Sequence, residues 1–391
     1  MSVSKKLMTA GGGIVKSYAL IGKGLPLDVS NEPDRDRRIE VIKVTGTGGV
    51  SLHQEYDLYD EPTGNPILYS KGAVRVSPNN QYVAITSTAD NLINLAYDSS
   101  KGLLSPSGFV ELRSANNQVD DGLDLTWHPD SQEVAIARND PNISYNLNEA
   151  FTRYNAGSLG PSRMGRYNDS SNLGNEGVAI SYIPGIDPAT NSHRLMMWGV
   201  GSPYIAISIG LSKSNNIDLS ATYSTIGYPS GFAQVQFSPF ADGEDAIAVA
   251  HGNSAWWHFH VKGAGGFYQT LSKSIGFTDG RFAWIPHADS TNLDCYLLNI
   301  DTDRINILRN VAFNNTALVT TEQISGLGSP KDVAVSHDGM IGACTFGNGA
   351  KRNLVIVDLS TPGTFEVLST TELESDFMEC RMEFAKDFIG S

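Results

Sequence analysis

The chain has 391 residues, of which 42 are Asp or Glu and 28 are Lys or Arg, so its formal net charge at pH 7 is −14. Phosphate backbones and anionic membranes are bound by clustered cations, so this balance argues against nucleic-acid binding, and no apolar run is long enough to insert into a bilayer. With 40% hydrophobic residues, 39 Gly and 17 Pro, the composition is typical of a globular chain rich in turns.

Residues 1–35 are predicted to form an N-terminal arm that either docks on a neighbouring protein or is disordered. The only apolar run near the start is Leu7–Ala10, which is too short for the core of a signal peptide, so the chain is expected not to be secreted. Cations in and beside the arm are candidate partner-binding residues: Lys5, Lys6, Arg35, Arg37 and Arg38.

Three strand-like runs come before any repeat, at residues 14–21, 38–45 and 50–58. They contain alternating or continuous β-branched and apolar residues, which favour strands. The run 14–21 has two interpretations at this point: it is either a strand of the folded domain or part of the arm.

Seven copies of a short alternating strand follow, and most of them end at a proline. We call the residue at this point the anchor; successive anchors lie 47 to 55 residues apart, at Pro78, Pro129, Pro184, Pro239, Pro286, His337 and Lys386. The positions four and two before every anchor are apolar, as in Val74 and Val76. Since strand side chains alternate between faces, these two positions predict one buried face in each copy.

Turn-forming Asp, Asn, Gly or Ser follows most anchors, and a second apolar strand such as Val83–Ile85 comes next. One or two further strands complete each unit. Four strands in about 50 residues are typical of a β-propeller blade. The sequence therefore predicts an all-β fold, a seven-bladed β-propeller over residues 36–391.

The last anchor, Lys386, leaves too few residues for the remaining strands of its blade. The unassigned strands near the N-terminus are predicted to complete that blade, so that N- and C-terminal strands share one sheet. Such a closure removes an exposed sheet edge, which would otherwise favour aggregation.

The segments VSPNNQYVAI (76–85) and FSP (237–239) resemble the repeat units of TolB-like, lactonase-like and WD40-like propellers. The Gly-His and Trp-Asp pairs of ordinary WD40 repeats are missing. Lactonase-like propellers ligate calcium around the channel axis, so the resemblance implies one alternative, a hydrolase or lactonase with a divalent metal in the channel. That alternative rests on aspartates after the anchors, which turn chemistry also explains: Asp130, Asp242, Asp289, Asp338 and Asp387.

The opening SKKLMTAGGG (4–13) resembles the start of structural proteins of tailed bacteriophages. This resemblance implies a virion protein, assembled in the host cytoplasm and present in several copies per particle. Its expected partners are other virion proteins and a host surface glycan or receptor.

Residues 139–177 depart furthest from the repeat and combine Tyr and Arg with many Asn, Ser and Gly. Such a composition is typical either of a long solvated loop between strands or of a recognition loop for a protein or glycan. The candidate contact residues of this segment are Tyr145, Arg153, Tyr154, Arg163, Arg166 and Tyr167.

The sequence contains no HExxH, GxSxG, CxxC or P-loop motif. His258 and His260 alternate along a predicted strand and could share a metal, although a structural role also explains them. His128, His287 and His337 lie beside anchors, where either a ligand contact or a structural role explains them. No catalytic residue, metal site or cofactor is therefore predicted. The hypothesis from sequence is a non-enzymatic tailed-phage virion protein, with a propeller hydrolase and an intracellular scaffold as alternatives.

Overall fold

The computed structural model describes about two thirds of the chain. The described ranges are 16–23, 38–57, 73–87, 91–111, 121–139, 149–155, 163–168, 176–182, 194–200, 205–211, 217–225, 232–238, 245–252, 255–262, 266–273, 281–287, 294–311, 315–348, 351–373 and 381–389. Strands and turns make up these ranges, and none of them contains a helix that could cross a membrane. The predicted all-β class is confirmed.

The strands follow one another in groups of four, each group beginning at one of the predicted repeats. Three strands come first: β1 (Ser17–Lys23), β2 (Arg38–Thr45) and β3 (Val50–Asp57). The first two groups are β4 (Val74–Val76), β5 (Tyr82–Ser87), β6 (Asn91–Asp98) and β7 (Leu103–Glu111), then β8 (Asp121–Trp127), β9 (Glu133–Asn139), β10 (Glu149–Asn155) and β11 (Arg163–Asn168). The next two are β12 (Glu176–Tyr182), β13 (Arg194–Val200), β14 (Ile205–Leu211) and β15 (Ile217–Thr225), then β16 (Phe232–Phe237), β17 (Asp245–Gly252), β18 (Ala255–Lys262) and β19 (Gly266–Lys273). The chain continues with β20 (Arg281–Ile285), β21 (Asp294–Asp301), β22 (Arg304–Val311) and β23 (Asn315–Gln323), then β24 (Ser329–Val335), β25 (Ile341–Asn348), β26 (Lys351–Asp358), β27 (Glu366–Leu373) and β28 (Arg381–Phe388).

Each group of four is an antiparallel meander in which consecutive strands are hydrogen-bonded. Among the described residues, five sheets have four strands, and one has eight because a single pair, Glu176 with Asn139, joins the meanders β8–β11 and β12–β15. The first strand of each meander contacts the first strand of the next, and β28 contacts β4. We call these seven strands, β4, β8, β12, β16, β20, β24 and β28, the inner ring.

The first described strand of the chain pairs with the last. β1 lies between β2 and β28, with Leu20 opposite Ile42 on one side and opposite Phe384 on the other. The run 14–21, left open by the sequence, therefore contributes a sheet strand from Ser17 onward. This strand falls inside the range 1–35 assigned to the arm, and the boundary between arm and domain stays a prediction.

The core consists of apolar layers between neighbouring sheets. Successive residues of β1 pack in two different layers. Ile21 packs with the meander β4–β7, and Leu20 packs with the meander β24–β27. Because each such sheet is covered on both faces, its strands are apolar at successive positions and not only at alternate ones. Val41 and Ile42, successive and fully buried residues of β2, lie in the same two layers.

The predicted burial of the positions four and two before the anchor is confirmed. In the described copies these side chains are at most 7% exposed, except for half-buried Val335. The buried members include aromatic residues of four meanders: Trp127, Tyr182, Phe237 and Trp284.

The residue after the anchor builds a tight turn, which explains why Asp and Asn recur there. The side chains of Asn79, Asp130 and Asp338 each accept a hydrogen bond from the backbone N–H two residues further on. The residue between has a positive φ of 59° to 71° in each turn, and it is Asn80, Ser131 or Gly339. These aspartates therefore act as turn residues, as one of the two interpretations predicted.

Candidate functional site

The inner ring carries a band of charged residues five and three positions before the anchors. Apart from the single pair Glu176 with Asn139, the described ring strands pair with a neighbouring strand on one side only. Backbone N–H groups on the other edge therefore need different partners. Carboxylates of the preceding ring strand supply them. The Asp332 carboxylate accepts from Met382 N at 2.9 Å, Glu383 from Val76 N at 3.0 Å, and Asp124 from Ile180 N at 3.2 Å.

Arg75 lies between these carboxylates on β4. Its Nη2 is 3.4 Å from Asp124 Oδ1, its Nη1 donates to Val74 O at 3.0 Å, and its side chain is 30% exposed. Burial disfavours the charged guanidinium, but the carboxylates of Asp124, Glu383 and Asp332 outweigh burial and raise the pKa of Arg75. Arg75 therefore stays positively charged.

A second arginine joins the same group from β28. Arg381 donates from Nη1 to Lys331 O at 3.4 Å, and its charge acts on Asp124 across the intervening strand β4. Four of the seven ring strands thus contribute to one set of interacting charges. We call this set the polar cluster: Arg75, Asp124, Asp332, Arg381 and Glu383.

Burial shifts the two carboxyl groups closest to Arg75 in the same direction. Burial raises the pKa of Glu383, and the opposing charge of Arg75 does not cancel the effect. Burial likewise raises the pKa of Asp124 against the influence of Arg75 and of the Ile180 N–H. Carboxyl groups with raised pKa values accept protons more readily than ordinary surface carboxylates, which is a property of general bases.

Buried partners hold the backbone of the cluster in place. Thr345 on β25 bonds both the N–H and the carbonyl of Asp332, at 2.9 and 3.1 Å. Trp127 Nε1 donates to Arg75 O at 2.9 Å, which links β8 to β4. These hydrogen bonds fix the backbone of Asp332 and of Arg75.

Sequence reasoning did not find the polar cluster. Its signal was present, because Arg75 and Glu383 lie three positions before their anchors, and Asp124, Asp332 and Arg381 lie five positions before theirs. The apolar positions four and two before the anchor indicate the buried face in every copy, whereas the intervening positions differ from copy to copy.

The residues predicted to bind partners lie elsewhere. Lys5, Lys6, Arg35, Arg37 and Tyr145 fall outside the described residues. Arg38 begins β2, opposite Asp57. The others lie on the third and fourth strands of the second meander: Arg153 and Tyr154 on β10, and Arg163, Arg166 and Tyr167 on β11.

The long-loop interpretation of residues 139–177 is wrong for the parts that the structure describes. Two strands occur there, and they pair with each other through Tyr154 and Arg163 and through Phe151 and Tyr167. The many Asn, Ser and Gly residues obscured the strand pattern. The prediction that these side chains bind a partner stays a prediction.

The histidines beside the anchors have local surroundings of different kinds. His128 Nδ1 is 2.6 Å from Asp130 Oδ1, and its ring meets Tyr182 edge-on at 5.0 Å between centroids. Both ring nitrogens of His287 are buried, and no hydrogen-bond partner for them occurs in the described ranges. His337 is exposed, and for His258 and His260 only the backbone of β18 is described.

The described residues do not fit a channel metal of the kind implied by lactonase-like propellers. No group of three or more His, Cys, Asp or Glu side chains that could hold an ion occurs in the described ranges. Asp124, Asp332 and Glu383 each bind a backbone N–H through one oxygen. Asp130 and Asp338 lie in turns, and Asp242 and Asp289 are outside the described residues.

Solved structures similar to this chain are propellers and include lactonases. The periplasmic gluconolactonase of Pseudomonas aeruginosa superposes with a TM-score of 0.63 at 15% identity, covering 94% of this chain and 99% of the other. A protein assigned as a 6-phosphogluconolactonase from Bacteroides fragilis gives 0.61 at 12% identity, covering 93% and 98%. The β-propeller domain of Swd1 from Myceliophteria thermophila gives 0.51 at 10% identity, covering 77% and 86%.

The fold is a β-propeller. At these identities the likeness concerns the fold and not the activity. No protein-family model matches the chain, and no curated protein sequence matches it.

These comparisons contradict the predicted tailed-phage virion protein, together with its non-enzymatic role and its virion localisation. The structures that cover nearly the whole chain include a gluconolactonase and proteins assigned as 6-phosphogluconolactonases. The phage resemblance rested on residues 4–13, which lie outside the described residues. A ten-residue likeness at one terminus carries far less structural information than a superposition over 93% of the chain.

Proposed function

We propose that this protein is a lactone hydrolase and that the polar cluster on the inner ring is its active site. The observation that carries the proposal is the convergence of Arg75, Asp124 and Glu383, from three consecutive ring strands, into one charged group. Its support from outside the chain is the fold shared at full length with the Pseudomonas gluconolactonase.

Glu383 is the proposed general base. One of its oxygens accepts the Val76 N–H, which fixes the carboxylate in position, whereas Asp124 uses one oxygen for Arg75 and the other for the Ile180 N–H. The raised pKa of Glu383 suits removal of a proton from water. Asp124 is the proposed positioning residue for Arg75.

Arg75 is the proposed stabiliser of the oxyanion. A guanidinium has five N–H donors, and its contacts with Val74 and Asp124 engage two of them. A donor held in a partly buried site before the reaction stabilises developing negative charge without reorganisation. Arg75 therefore supplies what the tetrahedral intermediate of lactone hydrolysis needs.

The proposed reaction uses water and the lactone alone. Glu383 takes a proton from water while the water oxygen bonds to the lactone carbonyl carbon, and the carbonyl oxygen becomes an oxyanion beside Arg75. Collapse of this intermediate breaks the ring C–O bond. The departing ring oxygen takes the proton back from Glu383, and the product is the open-chain hydroxy acid.

The test is hydrolysis of glucono-δ-lactone by the purified full chain, measured as acid release against spontaneous hydrolysis in the same buffer. Wild-type protein is expected to accelerate acid release, and Glu383→Gln and Arg75→Met are expected to lower kcat/KM by roughly 10²-fold or more. Glu366→Gln, which changes an exposed carboxylate on β27, is the matched control and should retain activity. Acid release at the spontaneous rate across a panel of sugar and aliphatic lactones would refute the proposal.

A further inference from the structure

We propose that the inner ring selects an uncharged, polyhydroxylated lactone over the phosphate ester of the same lactone. This inference rests on the proposed lactone hydrolase function. It separates two substrate classes that the similar structures leave open, since one is a gluconolactonase and another is assigned to a phosphorylated lactone.

Positive and negative side chains are equal in number at the positions five and three before the anchors. Across all seven copies, the residues five and three positions before the anchors include three arginines and three carboxylates: Arg75, Arg281, Arg381, Asp124, Asp332 and Glu383. The remaining polar residues at these positions are neutral: Thr126, Ser181, Gln234 and Gln236. No excess positive charge is therefore built into this band.

The cations nearest the proposed reaction centre already have anionic or carbonyl partners. Arg75 is 3.4 Å from Asp124, and Arg381 donates to Lys331 O. A phosphate ester carries close to two negative charges at neutral pH and would compete with Asp124 for the guanidinium. It would also stand close to three carboxylates, in a chain whose net charge is −14. Both effects oppose a phosphorylated substrate.

Sugar hydroxyl groups fit the same band without such a conflict. A hydroxyl both donates and accepts, so it bonds to a carboxylate oxygen and to a guanidinium N–H at once. Carboxylates and arginines alternate over three consecutive ring strands, with Glu383 on β28, Arg75 on β4 and Asp124 on β8. Neighbouring hydroxyls of a polyol can therefore bind to neighbouring strands.

The first experiment compares kcat/KM of the wild-type full chain for glucono-δ-lactone and for its phosphate ester, at low salt. We expect the unphosphorylated lactone to be preferred by at least about tenfold, the scale of one uncompensated charge in a partly buried site. Preference for the phosphate ester would overturn this inference and leave the hydrolase proposal standing. If neither lactone is hydrolysed, the hydrolase proposal fails, and the inference is decided by calorimetric binding of glucitol against glucitol phosphate. Tighter binding of the phosphate, or equal binding of both, would overturn it.

The second experiment adds one cation to the band. Gln236 lies three positions before its anchor on β16 and is half-buried. Gln236→Lys is expected to shift the kcat/KM ratio toward the phosphate ester by about tenfold, and salt should reduce the shift. Gln236→Met has a similar length without the charge and should leave the ratio unchanged. An equal shift in both variants, or no shift with Lys, would contradict the charge argument.

Discussion

The carboxylate of Glu383 accepts a hydrogen bond from the backbone N–H of Val76 at 3.0 Å, across 307 positions of the sequence. The same contact orients the proposed general base and satisfies an edge N–H group of β4. Glu383 therefore has a structural role and a proposed chemical role, and substitutions can separate them.

Two variants of Glu383 should differ in stability, and both should lose lactone hydrolysis. Glu383→Gln keeps an oxygen that accepts the Val76 N–H, so the free energy of unfolding should fall by less than about 1 kcal/mol. Glu383→Ala leaves that N–H without its acceptor and should cost about 1–3 kcal/mol. Urea unfolding measures the stabilities, and lactone hydrolysis should be lost in both variants. Equal stability losses would contradict the role assigned to this hydrogen bond.

The pH dependence of hydrolysis should report the raised pKa of Glu383. A general base works in its ionised form, so kcat/KM should increase with pH through a midpoint above 4.5, the ordinary pKa of a Glu carboxyl. Arg75 lowers this pKa by its charge, so residual activity of Arg75→Met should show a still higher midpoint. A midpoint at or below 4.5, or a downward shift in the variant, would exclude Glu383 as the base.

The stabilising contribution of Asp338 to the folded chain should be lost in acid. Burial opposes its ionisation, but hydrogen bonds from Ser336, Lys16 and Met340 outweigh burial and lower its pKa below the ordinary 3.8. The ionised group therefore stabilises the folded chain above pH 3.8, and this contribution is lost as the pH falls through the lowered folded-state value. The unfolding free-energy difference between wild type and Asp338→Asn should be largest near neutrality and shrink below about pH 3.8. A difference that does not change with pH would contradict the assignment.

Gly339→Ala should destabilise the fold more than Gly326→Ala does. Both glycines have positive φ, at 71° and 90°, so alanine is strained at either position by about 1–2 kcal/mol. At Gly339 a Cβ would also lie 3.1 Å from the carbonyl oxygen of Pro286, whereas at Gly326 it would meet nothing within 4 Å. Thermal unfolding compares the two, and equal losses would show that the close approach is relieved at no cost.

His287→Leu should keep or increase stability, because it removes two buried ring nitrogens that have no hydrogen-bond partner within the described ranges. The expected gain is up to about 1 kcal/mol. His128→Leu is the matched comparison and should be destabilising, since His128 pairs with Asp130 and packs against Tyr182. If His287→Leu proves the more damaging, then His287 has a function that burial alone does not explain.

The repeat and its buried face were predictable because short-range rules determine them. Proline ends a strand, Asp130 and Asp338 form turns with their own backbone, and alternation buries Trp127 and Trp284. Such features need only a few neighbouring residues, and seven copies make the pattern visible.

The candidate site was not predictable in the same way. Arg75 contacts Asp124 of the next meander, and the charge of Glu383 acts on it only because β28 lies beside β4, and each residue alone resembles an ordinary surface charge. The functional prediction failed for a related reason, because it relied on a short terminal resemblance instead of on residues whose positions the fold determines.

The place of Glu383 on β28 also sets the time at which the proposed activity can begin. Arg381 and Glu383 lie on β28, the last described strand, while Arg75 is on the first strand of the inner ring. During synthesis β4 is made roughly 300 residues before β28, so a nascent chain holds Arg75 without Glu383 for most of translation. Chains interrupted before β28 would lack the proposed base as well as the last strand of the sheet, and would therefore be inactive.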